Sequence, residues 1–205
     1  MWSVSNTLPD GAAVEVEDAK MLLREAIRSH RRERPAKEAE KAAAGVAENA
    51  APLLPGVTCA AVYAARPHEP GTAKLMELMH ERGVTILLPI LGAGLRRDWA
   101  PYEPGQRLEV RAPGRPPEPE GPGLGEDAIG SADLVIAPAL SVDRTGRRLG
   151  QGGGWYDRVL THARPDATIY GVVFDDEISD EPLPWAEHDH PVHGIITPSG
   201  RHSLR

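Results

Sequence analysis

The chain has 205 residues and a mass of 22.1 kDa, with 40% hydrophobic and 26% charged residues, enough to bury one sizeable core and too few for several. Its 21 Gly and 20 Pro follow no Gly-X-Y period, which excludes collagen, and the single cysteine, Cys59, excludes an internal disulfide and a multi-thiolate zinc site. The net charge of −7 argues against a nucleic-acid binder, yet seven basic residues against two acidic between Lys20 and Lys37 place a basic segment on an acidic body.

Residues 1–19 lack the basic start and apolar run of a signal peptide, and no stretch approaches the roughly 18 to 20 consecutive apolar residues of a membrane span. The expectation is a soluble monomer in a reducing cytoplasm, with 1–13 as a flexible extension and no membrane or nucleic-acid partner. Residues 14–34 space Val16, Ala19, Leu23, Ala26, Ile27 and His30 along one helical face. Lys20, Arg24 and Arg31 border that stripe, while Arg28 and Arg32 turn further toward solvent. By position alone these cations are either a solvated margin whose aliphatic stems cover the core, or one wall of an anion site.

Residues 36–53 form a second, alanine-rich helix that stops before Pro55-Gly56, and 57–64 read as a buried strand. Helical spacing returns over 72–82, Gly83 ends it, and 84–90 is a second strand, so that strand, helix and strand make a parallel crossover. Between 101 and 125, twelve of twenty-five residues are Pro or Gly, which predicts a long loop. Trp99 and Tyr102, just before and inside it, read as core anchors. A strand at 132–138, a helix at 155–162 and a strand at 167–174 complete the pattern, with 199–205 left as a tail. The fold class expected is an α/β single-domain sandwich over 14–198, with a mostly parallel central sheet flanked by helices.

Chemistry concentrates in DLVIAPALSVDRTGRRLGQGGGWYDRVL, from Asp133 to Leu160, where a strand leads into Gly150, Gly152, Gly153 and Gly154 and then a helix. Glycines let backbone N–H groups approach phosphate oxygens, and a helix start adds unpaired amides. The segment is neither a Walker A loop nor a GxGxxG fingerprint. Arg147 and Arg148 before the glycines can fork onto phosphate, Trp155 and Tyr156 after them can stack on a planar ring, and Asp157 can hold the magnesium of a nucleotide. A nucleotide or phosphate ligand is therefore expected; a plain glycine-rich strand-to-helix turn is the alternative. The histidines at 188, 190, 193 and 202 form no zinc pattern, and Cys59 reads as a small core residue.

The same segment closely resembles the signature of the 5-formyltetrahydrofolate cyclo-ligase (methenyltetrahydrofolate synthetase) family, through Asp143, Gly146, Arg148, Leu149, Gly150, Gly152, Gly153, Gly154, Trp155, Tyr156 and Asp157. Further landmarks follow in order: Lys20, Leu23 and Arg24; Glu69 and Thr72; Glu118-Pro119; and His188-Asp189. The resemblance spans about 18–198 and implies a fold similar to sugar-phosphate isomerases and CoA-transferases. It implies that Lys20 and Arg24 contact ATP phosphates, that Lys20 and Arg148 are catalytic, and that Arg148, Leu149, Gly150, Gln151, Gly152, Gly153, Gly154, Trp155 and Tyr156 hold the nucleotide. Ala64 and Glu69, with residues 151–155, would contact the folate, and Asp157 and Asp189 would ligate Mg2+. Three positions depart from the family pattern: Trp155 is often Tyr, Gly153 is often Lys, and His193 stands where Asp commonly follows Pro-Val.

The implied reaction converts 5-formyltetrahydrofolate to 5,10-methenyltetrahydrofolate with hydrolysis of ATP to ADP and phosphate. Phosphorylating the formyl oxygen makes it a leaving group, so no enzyme nucleophile is required. A phosphate-ligand enzyme of the isomerase or CoA-transferase type and a non-enzymatic nucleotide-binding protein are the competing readings. Without the resemblance, Glu69 and Glu118 would be ordinary loop carboxylates.

Overall fold

The computed structural model describes residues 16–92, 96–111 and 115–204, so the expected extension at 1–13 lies outside the described residues. Helix α1 (Val16–Glu33) opens the chain, and α2 (Ala36–Ala50) follows after Pro35 and closes with a 3-10 turn at Ala51–Leu53. Then come β1 (Cys59–Ala61), α3 (Ala73–Glu81), β2 (Thr85–Leu91) and β3 (Arg97–Tyr102). The remaining main-sheet strands are β6 (Leu134–Pro138), β9 (Thr168–Val172), β11 (Gly194–Ile196) and β12 (Arg201–Ser203). Helix α4 (Trp155–Val159) lies between β6 and β9. Two-residue strands β4 (Leu108–Glu109) and β5 (Glu118–Pro119) pair with each other. A small sheet in the order β10-β7-β8 is made by β7 (Ser141–Asp143), β8 (Arg148–Leu149) and β10 (Ile178–Ser179).

The seven-stranded sheet runs β12-β11-β9-β6-β1-β2-β3. Its five inner strands are parallel and both edges antiparallel; the strand and helix alternation predicts β1, β2, β6 and β9 among them, but not β11 or either edge. From β1 the chain crosses through α3 to β2 in one direction along the sheet, and from β6 through α4 to β9 in the other. Right-handed crossovers in opposite directions place α3 and α4 on opposite faces, with α2 packed beside α3. Val46, Leu75 and Met79 from α2 and α3 and Val159 from α4 are fully buried in the one main core.

Four local expectations need correction. Strand β1 is three residues rather than eight, because Val62 makes one last bond to Leu87 and the buried chain beyond it leaves the sheet. The Pro/Gly stretch at 101–125 is not one uniform loop: Pro101 and Tyr102 complete β3, where an edge strand tolerates a missing N–H, and Glu118-Pro119 pairs with Leu108-Glu109. Residues 201–203, expected in a tail, form the outermost strand against β11. On α1, Ala26 is exposed, whereas Lys20 and Arg31 join Ala19, Leu23 and Ile27 on the buried face. That face packs against the small sheet, in a separate cluster of Leu23, Ile27, Leu140, Leu149 and Leu183. The Trp99 expectation holds: its side chain is fully buried in the main core, against which the partly buried Tyr102 packs.

Candidate active site

In an open parallel sheet, ligands bind beyond the carboxyl ends of the strands where the winding direction reverses. Here that point lies between β1 and β6, and a cavity of about 700 Å³ opens there. Tyr63 and 66–69 line it after β1, Pro89 and Ile90 at the end of β2, and Pro138, Leu140 and 148–157 after β6. Helix α1 closes the remaining side, presenting Lys20, Arg24, Arg28 and Arg31 from successive turns. Eight Lys or Arg against five Asp or Glu line the cavity, so an acidic chain carries a positive pocket. Burial, then the neighbouring guanidiniums of Arg66, Arg24, Arg31 and Arg32, push the Arg28 pKa below its ordinary value, as a concentrated positive field requires.

The glycine segment is held to α1 by hydrogen bonds that no local pattern announces. Arg24 Nε donates to the Gly150 carbonyl at 3.1 Å, and Arg28 Nη2 donates to the Gln151 carbonyl at 2.5 Å and to its side-chain oxygen at 3.2 Å. Gln151 Nε2 in turn donates to Glu69 at 2.9 Å, and Arg66 Nη2 pairs with Glu69 at 2.7 Å. A continuous bridge therefore runs from α1 through the loop to the segment after β1. Gly152 and Gly154 have φ of +100° and +60°, while Gly153 has no such backbone and open space where a Cβ would lie. Helix α4 after them has only five residues, so the positive charge of the cavity comes from its cationic side chains more than from a helix terminus.

Both carboxylates expected to ligate metal face the cavity, and both are ion-paired. Lys20 Nζ donates to Asp189 at 2.6 and 2.9 Å and to Glu17 at 3.0 Å. Arg148 Nη2 donates to Asp157 Oδ1 at 2.5 Å, which also accepts the His190 N–H at 3.3 Å, so residue 157 sits beside the 189–190 turn. No cluster of three or more His, Cys, Asp or Glu suited to a metal exists among the described residues. Two carboxylates are nonetheless an appropriate donor set for a hard cation that takes its other oxygens from a bound phosphate and water.

Several expected residues are placed elsewhere. Ala64 is buried in the core and does not line the cavity, because the chain leaving β1 turns Tyr63 and Glu69 toward it instead. Arg147 faces away, donating to the Leu183 carbonyl and lying over Trp185. Asp143, the first acidic residue of the signature, is a structural residue: Oδ1 accepts from Thr145 and Arg147, and Oδ2 from Leu183 N–H. His193 bonds through its backbone and ring to Ile169. Glu118, by contrast, is buried against the cavity and accepts the Leu91 N–H at 3.1 Å.

Trp155 forms the aromatic part of the wall, edge-on to Trp99 and tilted to Tyr156 with centroids 5.0 Å apart in each case. Burial holds the Tyr156 phenol far above its ordinary pKa against the opposing charge of Arg148, so it stays protonated. Its hydroxyl has no partner among the described residues.

A family model for the 5-formyltetrahydrofolate cyclo-ligase family matches residues 16–198, nearly all of the described chain. The chain belongs to the 5-formyltetrahydrofolate cyclo-ligase family. Membership places it among ligases of folate one-carbon chemistry and decides for an enzyme over a non-enzymatic regulator. It is 37% identical to the 5-formyltetrahydrofolate cyclo-ligase of Mycolicibacterium smegmatis over 191 residues, covering 88% of this chain and 94% of that one. It is also similar to the 5,10-methenyltetrahydrofolate synthetase of Aquifex aeolicus, with a TM-score of 0.72 and 26% identity over 91% of this chain and 93% of the other. The Mycoplasma pneumoniae synthetase shares the fold, with a TM-score of 0.68 at 16% identity over 87% and 98% of the two chains.

Sequence reasoning missed Arg28, Arg66 and Glu17 as cavity residues. Arg28 had a signal, since it continues the four-residue spacing of Lys20 and Arg24 along α1. Glu17 and Arg66 had none.

Proposed function

We propose that this cyclo-ligase converts 5-formyltetrahydrofolate to 5,10-methenyltetrahydrofolate with ATP and Mg2+, releasing ADP and phosphate. The observation that carries this reading is the convergence of Lys20, Arg24 and Arg148 with the glycine segment on one side of the cavity and Glu69 and Trp155 on its lining. The cations suit a triphosphate, the Trp155 face suits a planar heterocycle, and Glu69 suits the amine donors of a pterin.

The substrate's formyl group is an amide whose oxygen cannot leave until it is phosphorylated. In the proposed reaction this oxygen attacks the γ-phosphorus, the bond to ADP breaks, and N10 then adds to the formyl carbon with loss of its proton. Expulsion of phosphate leaves the amidinium product. Lys20, Arg24, Arg148 and the loop amides would hold the γ-phosphoryl group in line and balance its charge, and Gln151 and Glu69 would orient the folate. Asp157 and Asp189 would hold magnesium, whose role is to neutralise the phosphate oxygens. The proposed enzyme acts as a cytoplasmic monomer on these small molecules.

Incubation with 5-formyltetrahydrofolate, ATP and Mg2+ should produce the near-ultraviolet absorbance of the methenyl product, and none when ATP or metal is withheld. Absence of both product and ADP refutes the reading. Asp157→Asn and Asp189→Asn should each shift the magnesium dependence of turnover to higher concentration.

A further inference from the structure

The Lys20 ammonium has three N–H donors, and all three are occupied: two by the oxygens of Asp189 and one by Glu17. The pair is withdrawn from solvent, with side-chain exposure of 3% for Lys20 and 9% for Asp189. Asp189 Oδ2 also accepts the Ala186 N–H at 2.7 Å, which fixes the carboxylate on its turn. Arg148 repeats the arrangement, its Nη2 on Asp157 and its Nη1 on the Pro138 carbonyl at 3.2 Å. The two cations best placed to receive phosphate are therefore already neutralised, by the two carboxylates that the reading above assigns to the metal.

A phosphate that takes Lys20 must strip it from Asp189. Arriving without a metal, it leaves a nearly buried carboxylate unpaired beside an added anion, and an unpaired buried charge is strongly unfavourable. Arriving with a divalent cation, it gives each member of the pair a new partner of opposite sign. The exchange then converts one ion pair into two, and no charge is stranded.

We infer that Asp189 is a specificity-determining residue that makes the pocket refuse metal-free polyphosphate and accept the metal complex, by holding Lys20 until a cation replaces it. Asp157 holds Arg148 in the same way. The inference rests on the cyclo-ligase reading for the identity of the ligand, but its test needs no turnover.

The probe is inorganic tripolyphosphate, and the measurement is its dissociation constant by calorimetry, in EDTA and at saturating Mg2+. In EDTA, Asp189→Asn should bind tripolyphosphate about tenfold more tightly than the wild type, or about 1.4 kcal/mol, and its gain on adding Mg2+ should shrink. Asparagine keeps an oxygen for the Ala186 N–H, and Asp189→Ser provides a second variant should that turn fail to fold. Removing a negative charge would raise anion affinity by field alone, so the decisive comparison is a double-mutant cycle. If Asp189 acts by holding Lys20, the gain shrinks in a Lys20→Ala background to the part that the field alone supplies. An equal gain in the two backgrounds, or an unchanged metal-free affinity, overturns the inference. Wild-type turnover together with an additive cycle removes this inference alone, whereas a coupled cycle without folate turnover removes the substrate assignment alone.

Discussion

Arg31 is the clearest place to test how the basic helix is held. Its Nε and Nη2 donate to the two oxygens of Glu177 and Nη2 also donates to the Ala139 carbonyl, each at 2.7 Å, and the two side chains are only 3% and 2% exposed. Burial would lower the Arg31 pKa, but the hydrogen bonds and charge of Glu177 reverse that and hold it above its ordinary value. Arg31→Met fills the volume and, among the described residues, leaves the carboxylate with only the Phe174 N–H, at 2.8 Å, as a side-chain partner. Removing one partner of a buried pair costs about 3–5 kcal/mol, against a total stability of about 5–15 kcal/mol for a domain. Glu177→Gln, whose one oxygen still accepts from Arg31 Nη2 and the Phe174 N–H while its amide nitrogen faces Arg31 Nε, should cost about 1–3 kcal/mol. Urea unfolding with an unchanged m-value measures both. A loss below about 1 kcal/mol for Arg31→Met, the range of an exposed pair, would refute the claim that this contact anchors α1.

The remaining predictions test the loop, a turn and the acid limb. Lys20→Ala should lower turnover by at least about tenfold, and Gly153→Lys should recover part of the loss in that background while changing the wild type little. Strictly additive effects would show that positions 20 and 153 share no phosphate. Gly146 has φ of +90° and a Cβ there would lie 2.5 Å from the Val192 carbonyl oxygen, so Gly146→Ala should destabilise by about 1–3 kcal/mol in denaturant unfolding. A loss under about 0.5 kcal/mol would mean that the turn relaxes without strain. Burial raises the Asp176 pKa, but hydrogen bonds from Arg34 and His30 outweigh it and hold the carboxyl below its usual value. Its contribution is present above the unfolded pKa of about 3.9 and disappears as pH falls through the lower folded value. Asp176→Asn should therefore be less stable than wild type at neutral pH and converge with it in acid; a constant difference across that range refutes the assignment.

The alternation of apolar strands and amphipathic helices was legible because it is written in residues a few positions apart, and it specified four of the five parallel inner strands, missing the three-residue β11. The glycine signature was legible for the same reason: Gly152 and Gly154 have the positive φ that glycine alone adopts readily in a tight turn. The β10-β7-β8 sheet was not, since its strands are two or three residues long and carry no period. The edge strand at 201–203 escaped notice for the same reason.

Residue types and local spacing, which are properties of neighbours in the chain, thus determined the layer architecture, the basic helix and the glycine-rich segment. Which carboxylate answers which cation is decided by contacts between residues far apart in the chain, 169 positions for Lys20 with Asp189 and 146 for Arg31 with Glu177. Cationic side chains on one helix therefore took different roles: Arg31 became a buried anchor, Arg24 and Arg28 came to hold the glycine segment, and Lys20 was paired to a site carboxylate. Only packing against the small sheet, which sets the rotation of α1, could separate them.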